Sequence, residues 1–411
     1  MNNANNNVVN ASNSVGHPRG ILNTNTVPGN RIGFVAISLG VLVAACSGSW
    51  DITNHLLNKP ETFFSAPHAG LYAGVALVVF ALVCVLRFNR ANQHDHVDYS
   101  KSFLISKLID RQKPPLALVI KLIIAGVALL AIAGPLDFAW HSAFGLDGLL
   151  SPSHFILAMG LVLSSSGALL GTLSMNELVS LHNMVKAKVD PALFSSRIDK
   201  RRDFNDFKLS LLIVVGIVPV WITLVGLVHM LSLPFSETIS FNFNPDANLA
   251  AIFVTLAFPL LVSFILTASF RLTRNFGIIT IIGSAFVTVN LVTSIYPNEF
   301  LHSTILFYVL NIIPFLAVDL ALNKFEGSRS KIFVYGVSGA VLGVTFFLIH
   351  YPLITYTYNE VLPNSEPVWP SITISTYFGM VETIYPLLLL PGLSSGFFGA
   401  ILALRFGSTK F

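Results

Sequence analysis

Two stretches of the chain repeat one pattern of a carboxylate and two imidazole side chains. An aspartate is followed four residues later by a histidine, and a second histidine follows thirteen residues after the first: Asp51, His55, His68 and Asp137, His141, His154. Residues four apart share a helical face, and the second histidine is expected to begin the returning helix of a hairpin, so the three ligands can converge. One carboxylate and two imidazoles suit zinc, copper or non-haem iron and leave a coordination position open.

The similarity between the two stretches extends beyond these residues and indicates a duplication. Ser65 matches Ser151, and Gly74 matches Gly160. In a single copy, an aspartate that merely orients a histidine by a hydrogen bond would be the simpler interpretation, with Trp50 and Trp140 anchoring the membrane interface. Two copies with equal spacing favour a metal site. The second copy also contains Asp147, which either caps a turn or hydrogen-bonds a ligand histidine.

The second copy resembles a known copper-binding hairpin. It contains Asp137-Phe-Ala-Trp-His141 and then Asp147-Gly-Leu-Leu-Ser151-Pro152-Ser153-His154. This resembles the C subunit of the particulate methane and ammonia monooxygenases, in which an Asp-x3-His-x12-His set holds copper and a Thr/Ser-Pro-Ser-His segment precedes the second helix. The resemblance implies that Asp137, His141 and His154 are copper ligands. The first copy keeps the ligand spacing, with Ala66-Pro67 in place of Pro152-Ser153.

The elements that must position these residues are membrane helices. Hydrophobic residues make up 54% of the 411, charged residues make up 11%, and mean hydropathy is +0.72. Apolar runs of roughly 20 residues, each long enough to cross a bilayer, recur along the chain. We predict an all-α polytopic bundle of about ten helices in five hairpins. The predicted helices are 32–49, 68–86, 116–134, 154–175, 209–233, 249–269, 276–296, 301–323, 332–351 and 371–390, with a break in the helical pattern at Pro391–Gly396.

The basic residues predict the orientation of this bundle. With a cytoplasmic N-terminus, only Lys59 of the 24 Lys and Arg residues falls outside. Both termini are therefore predicted to be cytoplasmic, and both Asp-His-His copies face the outside of the cell membrane. We expect residues 1–30 to form a disordered Asn-rich tail and residues 31–411 a transmembrane domain. Within that domain, 31–175 hold the duplicated hairpins and 206–411 the remaining ones.

Other polar residues in apolar runs have two interpretations. One interpretation of His229, His302 and His350 is that they complete a site or form a proton path. The other is that each simply hydrogen-bonds at the interface, and we prefer it because no fixed spacing connects the three histidines. Asn290, Glu299 and His302 form a looser outer cluster. Glu382 and Asp319 are intramembrane carboxylates and thus functional candidates, although Asp319 lies near the cytoplasmic end, where it could simply pair with Lys324.

The leading functional hypothesis is an outward-facing, copper-binding membrane protein that acts as a subunit or accessory of a copper monooxygenase or oxidase-type complex. Zinc or iron are alternative metals, and electron delivery would need partner membrane subunits. Two other hypotheses are a metal or ion transporter, because polar residues in repeated hairpins suit an ion pathway, and a structural subunit without metal. The basic residues mark topology rather than a nucleic-acid partner, so the expected surroundings are the lipid bilayer and other membrane subunits.

Overall fold

The computed structural model describes residues 26–56, 62–91, 116–145, 150–189, 198–232, 243, 245–295, 299, 302, 305–325, 330–356 and 385–406. Within these residues, every regular element is a helix. Residues 1–25 lie outside the described residues, so the disorder of the Asn-rich tail stays a prediction.

The described residues form the following helices, which we number in chain order. They are α1 (Thr26–Leu56), α2 (Ala66–Ala91), α3 (Leu116–Phe144), α4 (Pro152–Val189), α5 (Ile198–Ser232), α6 (Ala247–Thr273), α7 (Ile278–Asn290), α8 (Ile305–Leu310), α9 (Ile312–Phe325), α10 (Lys331–Tyr356) and α11 (Tyr385–Phe406). A single π-helical turn, Leu291–Ile295, extends α7.

Most of these helices have the length and composition of membrane spans. Eight described segments are long and apolar enough to cross a bilayer, and two shorter apolar helices cover Ile278–Thr293 and Leu389–Arg405. In lipid, a helix satisfies its own backbone hydrogen bonds, which is why apolar runs of this length fold as helices. The predicted helical membrane bundle is confirmed, whereas the count of ten, the five hairpins and the location of the termini stay predictions.

Glycines allow the first two helix pairs to cross closely. A Cβ atom on Gly74 would lie 2.7 Å from the carbonyl oxygen of Gly40, and one on Gly126 would lie 2.7 Å from that of Gly160. Gly40 and Gly126 are separated by 86 residues, as are the aspartates of the two copies. The duplication therefore includes the helix crossing. Because lipid tails are as apolar as the helices, such close backbone contact is a principal source of helix association in membranes.

Buried apolar side chains form two clusters. One contains residues between 34 and 175, from α1 to α4, and the other contains residues between 217 and 347, from α5 to α10. Trp221, which is completely buried, lies in the second cluster and stacks on Phe286 with ring centroids 4.4 Å apart. Ile222 from α5 packs against both clusters and joins them.

The helix α11 corrects the prediction for the end of the chain. We expected Pro391–Gly396 to break the helical pattern after Leu390 and to leave the stretch to Leu404 as a bent continuation or a half-helix, but α11 is continuous through this segment. A Cβ atom on Gly396 would lie 2.7 Å from the carbonyl oxygen of Gly339, and Ser395 donates a hydrogen bond to the carbonyl of Leu256. The small residues allow α11 to pack closely against α6 and α10. Proline within a membrane helix is accommodated by contacts with neighbouring helices, which explains why Pro391 does not end α11. Residues 371–384 of the predicted helix lie outside the described residues.

The described helices carry their basic residues at one end of the bundle, away from Asp137. Ser263 of α6 donates to the carbonyl of Gly339 in α10, and Gly343 lies against Pro259, so these two helices run antiparallel. Trp140 contacts Phe243, which places the start of α6 beside the end of α3. The basic end therefore includes Arg31, Arg87, Lys121, Arg271, Lys331 and Arg405.

The glycine crossing of α3 predicts a position-dependent effect of one methyl group. We expect Gly126→Ala to lower the unfolding temperature of the detergent-solubilised protein, because its Cβ meets the backbone of α4. Gly134→Ala in the same helix is the matched control, since a Cβ there meets nothing within 4 Å. Alanine favours helices, so the control should be unchanged or slightly more stable. Equal unfolding temperatures for the two variants would contradict a tight crossing at Gly126.

Candidate metal centre

The ends of α3 and α4 place one carboxylate and two imidazoles at the same point. Asp137 and His141 lie one turn apart near the end of α3, and His154 lies in the first turn of α4. Ser151 caps α4, because the backbone N–H of His154 donates to its hydroxyl at 3.2 Å. Pro152 follows at the first helical position, where its missing N–H has no cost. This local sequence fixes where the second histidine enters the site.

The ligand atoms of the three side chains converge. The Oδ1 atom of Asp137 lies 3.4 Å from Nε2 of His141 and 3.3 Å from Nε2 of His154. Ligand atoms of all three residues lie within 4.8 Å of one another. Among the residues that the structure describes, Asp137, His141 and His154 form the group of His, Cys, Asp or Glu side chains whose geometry could hold a metal ion.

These separations match those of ligands that share an ion. Two ligand atoms bound about 2.0–2.1 Å from a tetrahedral ion lie about 3.3–3.4 Å apart. Direct N–H···O hydrogen bonds are shorter, about 2.7–3.2 Å. The carboxylate and imidazoles of the second copy could therefore hold a metal ion between them.

A turn fixes the orientation of the His141 ring. Nδ1 of His141 donates to the carbonyl oxygen of Gly145 at 3.1 Å. A carbonyl oxygen only accepts, so the hydrogen is assigned to Nδ1, and Nε2 faces Asp137, where its lone pair can bind a metal when the ring is neutral. Gly145 has φ +80°, a left-handed conformation that glycine adopts without strain. This arrangement, in which a carbonyl orients a ligand histidine, is common around metal ions.

A chain of hydroxyl groups orients the Asp137 carboxylate. Ser153 donates to Oδ1 of Asp137 at 2.8 Å, and its hydroxyl lies 3.0 Å from that of Ser151. Because the Ser153 proton is directed at the carboxylate, Ser151 must be the donor to Ser153. The hydrogen bonds thus run in one direction, from the backbone N–H of His154 through both hydroxyls to Asp137, and successive bonds of this kind strengthen one another.

The cluster lies at the surface of the bundle among aromatic rings. His154 is buried, whereas the side chains of Asp137 and His141 keep 23% and 17% of their exposure, so a water or small ligand can reach them. Phe138 and Phe144 beside them are exposed. Aromatic side chains of this kind are typical of the boundary between hydrocarbon and water.

The first copy forms a smaller described cluster. Nε2 of His68 lies 3.1 Å from Oδ1 of Asp51, which is a normal hydrogen-bond length. Nδ1 of His68 donates to the carbonyl of Thr62 at 3.0 Å. The side chain of His55 lies outside the described residues, so the predicted third ligand is untested. Pro67 stands where the second copy has Ser153, and this copy therefore lacks the hydroxyl that bonds the aspartate.

Aromatic contacts connect the two copies. Phe63, in the turn before α2, lies 5.5 Å from Phe138 and 5.3 Å from Tyr72 between ring centroids. Tyr72 is close enough to interact electrostatically with both Asp51 and Asp137. The two copies are therefore neighbours at one end of the bundle.

Two further histidines meet in the second half of the chain. The rings of His229 in α5 and His350 in α10 lie 5.6 Å apart and nearly parallel. His350 is 1% exposed, and rings of Phe258, Phe286 and Phe346 surround it at 4.8 to 5.6 Å. The expectation that each histidine stands separately at the interface does not describe this buried pair.

Aromatic rings also link this pair to the region of Asp319. Phe346 contacts His350, and its ring centroid lies 5.1 Å from that of Phe315, one turn from Asp319 in α9. Asp319 itself accepts hydrogen bonds from the backbone N–H and hydroxyl of Thr280, at 2.8 and 2.7 Å. It thereby caps the start of α7, and its described partner is Thr280 rather than Lys324.

The remaining candidates lie apart from these clusters or outside the described residues. Asn290 donates to the carbonyl of Phe286 in its own helix, and Glu299 and His302 are exposed. Asp147 and Glu382 lie outside the described residues. Sequence reasoning missed the roles of Ser153, Gly145 and Thr62. The Ser-Pro-Ser-His order was the available signal, because it is typical of a helix cap.

The chain matches no protein-family model, no curated protein and no solved structure. Its function is therefore inferred from the geometry and chemistry of its own residues.

The hydroxyl chain predicts a loss of metal affinity without loss of the ligands. Ser153→Ala removes the donor to Asp137, and we expect about 10- to 100-fold weaker metal binding in a chelator competition titration. Ser142→Ala is the matched control, because this exposed hydroxyl bonds only the carbonyl of Phe138 in its own helix among the described contacts. Equal affinities for both variants would show that Ser153 does not orient the carboxylate.

The buried histidine pair predicts tolerance of an apolar replacement. Among the described residues, Nε2 of His350 has no hydrogen-bond partner, and aromatic rings surround it. His350→Phe should therefore leave the unfolding temperature equal or higher, since it removes a buried polar atom and keeps the ring. His350→Asn, which is smaller and polar, should lower the unfolding temperature. Loss of bound metal in His350→Phe would instead place His350 in a metal site.

Proposed function

We propose that this chain is a metal-binding integral membrane protein whose centre is formed by Asp137, His141 and His154. The observation that carries the proposal is the convergence of their ligand atoms, with the carboxylate oxygen 3.3 and 3.4 Å from the two imidazole nitrogens. Three protein ligands and a partly exposed rim are typical of sites that keep a position for water or substrate.

The proposed metal is copper, with zinc or iron as alternatives. Two imidazoles and one carboxylate are ligands for all three, so the donor set alone does not select among them. The resemblance of the hairpin to the monooxygenase C subunit favours copper. A bound ion would supply a Lewis acid or a redox centre at this position, while His141, His154 and Asp137 hold it and Ser153 orients the carboxylate.

The proposed location of the centre is the outer face of the cell membrane. The support is the position of the basic residues, which lie at the opposite end of the bundle and mark the cytoplasmic side by the positive-inside rule. Exposed Phe63, Phe64 and Phe138 near the centre suit the lipid interface or a partner subunit. We infer that the chain acts as a subunit or accessory of a copper oxidase-type complex and receives electrons from its partners.

A transporter remains the second candidate, but we prefer a surface site. An ion pathway would need polar groups through the depth of the bilayer. The described rings of Phe346 and Phe315, which lie between His350 and Asp319, pack together and offer no charged group.

Elemental analysis of the purified protein tests the metal centre. We expect the wild type to retain about one metal ion for each occupied Asp-His-His copy. The double variant His141→Ala/His154→Ala should bind about one metal ion fewer, because removing two of three ligands leaves too few donors. Ser142→Ala, next to His141, is the matched control and should retain its metal. His68→Ala tests the first copy separately.

Electron paramagnetic resonance of the oxidised protein identifies copper. A signal that disappears in the double variant supports a copper centre, whereas zinc in the elemental analysis would keep the site and exclude copper. Equal metal content in wild type and double variant would overturn the proposed function.

A further inference from the structure

A small pocket lies at the basic end of the bundle, far from the Asp137 cluster. It has a volume of about 70 Å³ and is lined by Arg271, Arg274, Lys331 and Tyr335. Arg271 is in the last turn of α6 and Arg274 follows that helix, while Lys331 and Tyr335 are in the first two turns of α10. Because α6 and α10 run antiparallel, these four residues come from two adjacent helix ends.

The charges around this pocket are uncompensated in the described part of the chain. Arg271 and Arg274 are close enough to interact electrostatically, and like charges at this range repel. Among the described residues, no carboxylate forms an ion pair with Arg271, Arg274 or Lys331. A topology signal requires only that basic residues lie on one side, not that three of them line one cavity. Their convergence therefore points to an anion.

The size and lining of the pocket select the class of anion. A volume of about 70 Å³ is several times the roughly 10–15 Å³ that one water molecule needs, so the pocket has room for a compact group such as a phosphate. Guanidinium groups bind phosphate with two parallel hydrogen bonds, and an ammonium adds a point charge. The pocket is at the helix ends, at the depth where phospholipid headgroups lie.

We propose that this pocket binds a phosphate group, supplied either by an anionic phospholipid headgroup or by free phosphate. Half-buried Arg271 contacts the phosphate from the side of α6, and exposed Lys331 contacts it from the side of α10. The buried Tyr335 forms the floor. This site is independent of the proposed metal centre.

Equilibrium titrations of the full-length protein in detergent test the pocket. The probes are dioctanoyl phosphatidylglycerol, inorganic phosphate and, as a neutral lipid, dioctanoyl phosphatidylcholine. The variants are Arg271→Gln and Lys331→Gln, and Arg87→Gln is the matched control because it removes an exposed charge from the same end of the bundle, on α2. Monodispersity and unfolding temperature check that each variant is folded; Lys331 is exposed, so its replacement leaves the packing intact.

We expect saturable binding of phosphatidylglycerol or of phosphate, no saturable binding of phosphatidylcholine, and about fivefold weaker binding in each pocket variant. Arg87→Gln should bind as the wild type does. Binding of phosphatidylglycerol alone assigns the phosphate to a lipid headgroup, and binding of inorganic phosphate assigns it to the free ion. Absence of saturable binding for both anions, or equal weakening in all three variants, would overturn the proposal.

Discussion

A carboxylate at the end of an apolar helix is stable only when cations or hydrogen-bond donors face it, and this constraint organises the structure around Asp137. Its Oδ1 atom accepts a hydrogen bond from Ser153 and faces two imidazoles, with which it could share a bound cation. To supply these partners, α3 must end beside the start of α4, the turn must return His154 to the carboxylate, and Ser151 must cap α4.

Close helix crossings within the bilayer keep the ends of each hairpin in place. Close contact between Gly126 and Gly160 holds α3 and α4 together, and the equivalent glycines Gly40 and Gly74 do the same for the first copy. The two copies nevertheless differ at the residue that precedes the second histidine. The second has a serine at position 153, whereas the first has Pro67, which offers no hydroxyl.

Much of the fold and of the centre was predictable because the underlying interactions are local. Apolar runs long enough to cross a bilayer must be helical, and an aspartate and a histidine four residues apart must share a face. The convergence of Asp137, His141 and His154 follows from these facts and a short turn. The break predicted after Leu390 was wrong, because glycine and proline in a membrane helix often serve packing rather than termination.

The sequence by itself determined the membrane class, the repeat and the three candidate ligands, since each depends on hydrophobicity or on spacing within one hairpin. Only the tertiary structure decided which distant helices meet. It paired His229 with His350, more than a hundred residues apart, and it placed Asp319 at the start of α7. It also brought Arg271 and Lys331 to one pocket. These contacts depend on how helices pack across the bundle, and packing among uniformly apolar surfaces leaves no periodic signal in the sequence.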